Sequence, residues 1–304
     1  MKLSDLLDSS SANVKAELSV NPDVTDVSFP LDVSALPIVK REWISLDSVY
    51  VVTADLRGST RLGTGKHAAS TAAIFQASTG GLIDIFDGFN ADFVQIQGDG
   101  AFAIFWDRGA FERAICSAIT VRTFSADLAA QLASKWPDAP ATGFKIGVAT
   151  GRSLVKRIGK VARPDWQEPV WAGKPVNYSV KAAQAGDTGS IVVTGSVWDQ
   201  IENNDFLSMS CTCGGGPSNS IWSDFTIDNL PDGDDERFGR KLGSQWCTFH
   251  GEEYCNAVLA GKTRREDVES QRNEVLRSQR ATSLRDVASR NRKNLAARRK
   301  GLAA

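Results

Sequence analysis

The sequence predicts an α+β fold, a mixed or antiparallel sheet with flanking helices, followed by a helical C-terminal tail. Three observations predict it. The run SVYVVTAD at Ser48–Asp55 is β-branched and aromatic and has the length of a buried strand. Two further strand-like runs, ADFVQIQ and AFAIFW, flank Gly98-Asp99-Gly100, the composition of a tight hairpin turn. Helical periodicities lie on both sides of that hairpin, so the order is strand, helix, hairpin, helix, strand.

In chain order, residues 1–45 are mixed and carry Pro22, Pro30 and Pro37, which predicts a short N-terminal segment packed on the domain or on a partner. The first strand ends in the glycine-containing turn LRGST. A helix is expected from His67 to Phe89, with Gly80 and Gly81 its weakest point. After the hairpin, with Asp99 at its tip, residues 109–136 read as an Ala-rich helix and FKIGVATG, from Phe144, as a strand. A helix over Pro175–Ala185 has its proline in the first turn, and GSIVVTG is a further strand. These elements make a core of about 46–205 within a domain of 46–260. Its extension, 206–260, is rich in Gly, Ser and Asp, and the apolar residues of SQWCTFHGEEYC predict one closing strand. Residues 261–304 read as a basic helical tail. No internal repeat is evident.

Bulk properties exclude several classes. Hydrophobic residues make up 42% and charged residues 23% of 304, the balance of a globular chain that can bury a large core. No basic region precedes an apolar run at the N-terminus, and 18 consecutive apolar residues occur nowhere, so a cytoplasmic protein without a membrane span is expected. The net charge of −1 conceals an uneven distribution: residues 262–304 carry 13 Lys or Arg against 5 Asp or Glu. A solvated basic helix accounts for that, and no nucleic-acid partner is expected. Five cysteines, mostly late, do not form a secreted disulfide framework.

The chemistry lies in two aspartates. Asp55 ends the first strand and Asp99 occupies the hairpin turn; in one sheet both would project from the same edge, where hard oxygen ligands hold two divalent cations, Mg²⁺ or Mn²⁺. Spacing alone leaves the alternative of two structural turn residues. The turn Arg57-Gly58-Ser59-Thr60 then leads toward a helix whose N-terminal amides can receive phosphate oxygens.

VVTADLRGSTRL (51–62), VQIQGDGAFAIF (94–105), FKIGVATGRSLVKRIG (144–159) and VWAGKPVNYSVKAAQAGDTGSIVVTGSVWDQI (170–201) resemble, in order, the motifs of class III adenylyl and guanylyl cyclases. The resemblance implies a ferredoxin-like, palm-like catalytic domain that closes a nucleoside triphosphate into a 3′,5′-cyclic nucleotide and releases pyrophosphate. It makes Asp55 and Asp99 metal ligands, with the backbone of Leu56 as a further ligand, and Asn177 the ribose-binding residue. Thr53 joins the nucleotide-binding set with Arg57, Gly58, Ser59 and Thr60. Family sites form between two catalytic domains, so the resemblance implies a homodimer in which Asp55 of one copy meets Asn177 of the other.

Departures from the family pattern concern charge and base. Lys181 stands where the family has a transition-state arginine, keeping the charge without the bidentate fork. Gln95 occupies the first base-reading position, while Val170 and the bulky Trp171 stand at the second. With Tyr50 on the first strand, this aromatic bulk suits a smaller base, and the chain resembles the pyrimidine cyclases of Pycsar anti-phage systems, which make cyclic UMP or cyclic CMP for a separate effector. UTP or CTP is therefore the expected substrate; an adenylyl cyclase and an inactive nucleotide-binding module are the alternatives. Core packing is the competing reading of Tyr50 and Trp171. Cys211, Cys213, Cys247, His250 and Cys255 could gather around a structural Zn²⁺, but they lack a standard paired spacing and buried reduced cysteines are expected instead.

Overall fold

The computed structural model describes residues 2–27, 30–36, 38–64, 67–218, 221–274 and 277. An N-terminal helix, α1 (Leu3–Ser19), buries none of its residues against the rest of the chain. Then come β1 (Asp23–Asp26), β2 (Glu42–Leu56), the short α2 (Ser59–Gly63), α3 (Ala68–Gly88), the hairpin β3 (Phe93–Gln97) and β4 (Gly100–Phe105), and α4 (Ala110–Lys135). A long pair, β5 (Phe144–Lys160) and β6 (Arg163–Gly173), leads into α5 (Lys174–Ala185), β7 (Ile191–Val193), α6 (Gly195–Ile201) and α7 (Asp205–Ser208). The chain continues through β8 (Trp222–Thr226), β9 (Phe238–Leu242) and α8 (Gly251–Leu259).

One sheet runs β3-β4-β2-β5-β7-β9-β8, with β1 beside β2 and β6 beside β5. The β2–β4, β2–β5 and β3–β4 pairs are antiparallel, while β5–β7 is parallel. Strand alternation divides β2 between two cores. Val52, Ala54 and Leu56 face α3 and α4, packing with Leu82, Phe86, Ile115 and Phe144. Val49 and Val51 face the other way, with Phe102, Ile104, Trp106 and Trp171. On that second face α5 lies directly across β5: a Cβ on Gly147 would stand 1.9 Å from Ser179 O, so only glycine permits the approach.

Several elements differ from expectation. β2 begins at Glu42 rather than Ser48, because β1 pairs with it in parallel from Asp23↔Glu42, drawing part of the 1–45 segment into the sheet. SQWCTFHGEEYC is not a strand: Ser244–His250 form an irregular connection, and α8 starts at Gly251 with Glu252 and Glu253 in its first turn, where a helix dipole favours acids. The sheet is instead extended by β8 and β9, whose polar sequences WSDFT and FGRKL pair through Arg240 and Asp224 at 3.0 Å. Of the helical tail expected over 261–304, Glu266–Val268 form a 3₁₀ turn, residues 269–274 and 277 are helical, and most of the remainder lies outside the described residues. Among the described residues no helix is long and apolar enough to cross a membrane.

Candidate active site

The β2–β4 and β2–β5 registers place residues of the second sheet face in rows. Thr53 stands beside Phe102 on one side and Gly147 on the other, and Gln95 lies beyond Phe102. One row further, Asp55 pairs with Lys145, and Gln97 pairs with Gly100 at the end of β4. The hairpin between them turns on Gly98, at φ +65°, followed by Asp99, which brings the second aspartate to the edge where β2 ends. Gly100 is required there by a close approach: a Cβ would lie 2.4 Å from Ala54 O and 3.1 Å from Asp55 Cα. The Gly-Asp-Gly sequence thus packs the turn against the backbone that carries Asp55.

Electrostatics report the same proximity. Partial desolvation, together with the negative charge of Asp99, pushes the Asp55 carboxyl above the usual carboxylate range, and Lys145 pulls in the opposite direction. Lys145 also donates to Gln184 O on α5 at 3.1 Å. Two neighbouring carboxylates are a donor set that fits a hard divalent cation. Asp55 and Asp99 would hold it, with the backbone of Leu56 the third contributor, since the Leu56 side chain is buried on the opposite face.

The remaining predicted residues divide into those on this face and those away from it. Thr53 is buried, and its Oγ1 lies 2.7 Å from Ser179 Oγ, tying β2 to α5. Gln95 is half-buried in the Thr53 row. Arg57 is exposed beyond the aspartate edge and donates to Thr188 Oγ1 at 2.9 Å. Gly58 caps α2, which holds Ser59 and Thr60 but ends at Gly63; the turn therefore does not run straight into the long helix. On α5, Asn177 is exposed and donates from Nδ2 to Gly173 O at 3.3 Å, while Lys181, one turn later on the same helix face, is half-buried. The buried stripe of α5 consists of Pro175, Tyr178, Ser179, Ala182 and Ala183, so Asn177 points away from the sheet that carries Asp55.

Tyr50 and Trp171 lie on opposite faces of the sheet. Tyr50 belongs to the α4-facing core, 5.8 Å from Phe111 between ring centroids, and its hydroxyl donates to Gln200 Oε1 at 2.8 Å. Strand alternation puts it on the face opposite Asp55. Trp171 is buried in the second core against Phe93, at 5.3 Å, and Trp106, at 5.8 Å. Its indole Nε1 is buried without a hydrogen-bond acceptor among the described residues. Val170, its neighbour on β6, is exposed. Lys145, Gln97 and Ser179 escaped the sequence reading; the rule that a residue paired across from a functional side chain shares its face would have found Lys145 had the β2–β5 register been known.

No family model matches the sequence. The structure superposes on the adenylyl cyclase CyaB from P. aeruginosa with a TM-score of 0.52 at 16% identity, covering 66% of this chain and 96% of that one. The fold is therefore that of the class III nucleotidyl cyclases, with paired aspartates at the sheet edge. More particularly, the chain belongs to the uridylate cyclase family. It is 49% identical to a uridylate cyclase of Micromonospora echinofusca over 301 residues, 99% of this chain and 98% of that protein. To a uridylate cyclase of Propioniciclava tarda it is 42% identical, over 87% of this chain and 86% of that one.

Proposed function

We propose that this protein converts UTP into 3′,5′-cyclic UMP and pyrophosphate, at sites completed between two copies of the chain. The observation that carries the reading is the meeting of Asp55 and Asp99 at one sheet edge, in a chain related over nearly its whole length to proteins named uridylate cyclases. The ribose 3′-oxygen attacks the α-phosphorus in line, forming the cyclic ester as the bond to the pyrophosphate oxygen breaks; the hydroxyl proton leaves to solvent. Divalent cations, Mg²⁺ or Mn²⁺, held by Asp55, Asp99 and the Leu56 backbone would lower the hydroxyl's pKa and offset the triphosphate charge.

The protein's own groups orient the rest. Arg57 and the Gly58–Thr60 backbone border the aspartate edge where a triphosphate would extend, and Gln95 offers an amide that both donates and accepts toward a base. Asn177 of a second copy would position the ribose, with Lys181 supplying positive charge near the transferring phosphorus. The exposed Ile158, Val161, Trp166 and Val170 on the β5–β6 arm suit contact with that copy. Cyclic UMP would then serve as a messenger for a separate effector in anti-phage defence.

The test is incubation of the purified protein with Mn²⁺ and each of ATP, GTP, UTP and CTP, followed by mass spectrometry of the products. Cyclic UMP from UTP, in excess over every other cyclic product, is expected. Cyclic AMP as the dominant product would return the chain to the adenylyl cyclases, and absence of any product would leave a nucleotide-binding module.

A further inference from the structure

Away from the aspartate edge, two segments far apart in sequence bring together Cys211, Cys213, Cys247 and His250. The first two follow α7; the others lie in the connection between β9 and α8. One ligand atom from each of the four lies within 4.8 Å of all the others. Cys213 Sγ is 3.3 Å from His250 Nδ1, Cys247 Sγ is 3.8 Å from the same nitrogen, and the two sulfurs are 3.8 Å apart. A tetrahedral zinc with Zn–S of about 2.3 Å and Zn–N of about 2.0–2.1 Å sets its ligands about 3.8 Å apart for two sulfurs and about 3.5 Å apart for sulfur and nitrogen. The edges among Cys213, Cys247 and His250 lie close to those values, and Cys211 lies within 4.8 Å of all three. The three cysteines are free of disulfides, and a sulfur pair at this distance is far from the roughly 2.05 Å of a covalent bridge.

We propose that Cys211, Cys213, Cys247 and His250 bind one structural Zn²⁺ that fastens the C-terminal extension of the domain. Three thiolates and an imidazole are the soft and borderline donors that zinc prefers, and they fill a tetrahedron without leaving a position for water or substrate. The hard oxygen donors of Asp55 and Asp99 favour Mg²⁺ or Mn²⁺, so the two kinds of site select different ions. Backbone N–H groups of Phe249 and His250 point at Cys247 Sγ, as amides do around a bound thiolate. The fifth cysteine does not belong to this site: Cys255 faces α4, where Cys116 Sγ lies 3.9 Å from Cys255 O.

The surroundings show what such an ion would hold. The His250 ring stacks on Tyr254 at 5.6 Å, and the Arg265 guanidinium lies 4.4 Å over the other ring. Arg265 also donates to Met209 O and Ser210 O, at 3.2 and 3.1 Å, immediately before Cys211. Next to Cys247, Trp246 Nε1 donates to Thr120 Oγ1 on α4 at 2.9 Å. The segments joined are short of apolar cover, with Gly214-Gly215-Gly216 on one side and the exposed Phe249 on the other. A zinc clip would supply the cohesion that this part of the chain lacks by closing the long loop between Cys211 and Cys247.

Elemental analysis of the full-length protein, purified without a histidine tag, tests this. About one zinc per chain is expected, retained in Cys255→Ser and lost in Cys247→Ser and His250→Ala. Should those variants fail to fold, the wild-type protein still decides. Modifying its thiols with a mercurial should release the zinc stoichiometrically, and cobalt replacement should give a thiolate-to-cobalt charge-transfer band. A wild-type protein free of zinc after growth in zinc-supplemented medium would overturn the assignment. So would zinc that persists in Cys247→Ser, or a cobalt spectrum without thiolate character.

Discussion

Asp55 and Asn177 belong to neighbouring elements of one chain, yet they are held in contrasting ways. Asp55 ends a strand flanked on both sides, by β4 and β5, with the buried Ala54 and Leu56 on either side of it in sequence. Asn177 lies on the outer face of α5, whose inner stripe is locked to the sheet by Ser179 against Thr53 and by the close approach at Gly147. The carboxylate half is set into the sheet. The amide half is presented outward by a helix fixed to that same sheet. On the proposed reading these are two half-sites pointing apart, which a two-fold dimer would complete twice.

The largest expected effect separates these halves from the fold. Asp55→Ala and Asp99→Ala each remove one carboxylate and should lower turnover at least about 10³-fold, because cation stabilisation of a phosphoryl transition state is worth several kcal/mol. Thermal melting should show both variants folded; near-normal turnover in either would remove the aspartate edge from the chemistry. Asn177→Ala leaves the buried stripe of α5 undisturbed and, with the ribose held as proposed, should cost about 10²-fold in kcat. Steady-state kinetics with UTP would check this, and an effect confined to KM would weaken the positioning role.

A smaller effect has the opposite sign for stability. Burial and the charge of Asp99 raise the folded-state pKa of Asp55, so its stabilising, protonated form is fully present below the unfolded pKa and is lost as pH rises through the folded value. At neutral pH without divalent cations, Asp55→Asn should therefore melt higher than the wild type, and the difference should vanish in acid. Melting curves with chelator present would show it; equal melting at neutral pH would contradict the crowding of the two carboxylates.

The smallest effect concerns the extension. Asp234 accepts hydrogen bonds from Lys174 Nζ at 2.8 Å and Tyr178 Oη at 2.5 Å, clamping the extension to the start of α5, and these partners hold its carboxyl down at about 2. For a depressed carboxyl the contribution is present above the unfolded value of about 3.9 and is lost as pH falls through the folded value. Asp234→Asn should lower Tm by a few degrees at neutral pH and by progressively less in acid between those limits. A constant difference across that range would assign the effect to packing instead of charge.

Legibility in the sequence followed burial. SVYVVTAD and the Gly-Asp-Gly turn could be read because a doubly flanked strand must be apolar and a tight hairpin must use glycine, and with them came the aspartate edge. The helix carrying Asn177 and Lys181 was equally visible, starting one residue before Pro175. The extension was not. β8 is an edge strand and β9 lies between it and β7; both have polar sequences that pair through charged side chains and so carry no apolar alternation, while the aromatic and cysteine content of SQWCTFHGEEYC imitates a strand in a segment that packs instead through Trp246 on α4. Tyr50 shows the limit of reading a pocket from composition: one residue of strand phase puts its ring on the face opposite Asp55, and only the register sets that phase.

The most direct test of the divided site is to mix the inactive Asp55→Ala and Asn177→Ala proteins and allow subunits to exchange. In a mixed dimer one site carries both lesions and the other carries neither, so random pairing should restore about a quarter of wild-type turnover. Activity that stays absent at every mixing ratio, with exchange verified by a mass-tagged subunit, would contradict a site shared between two copies.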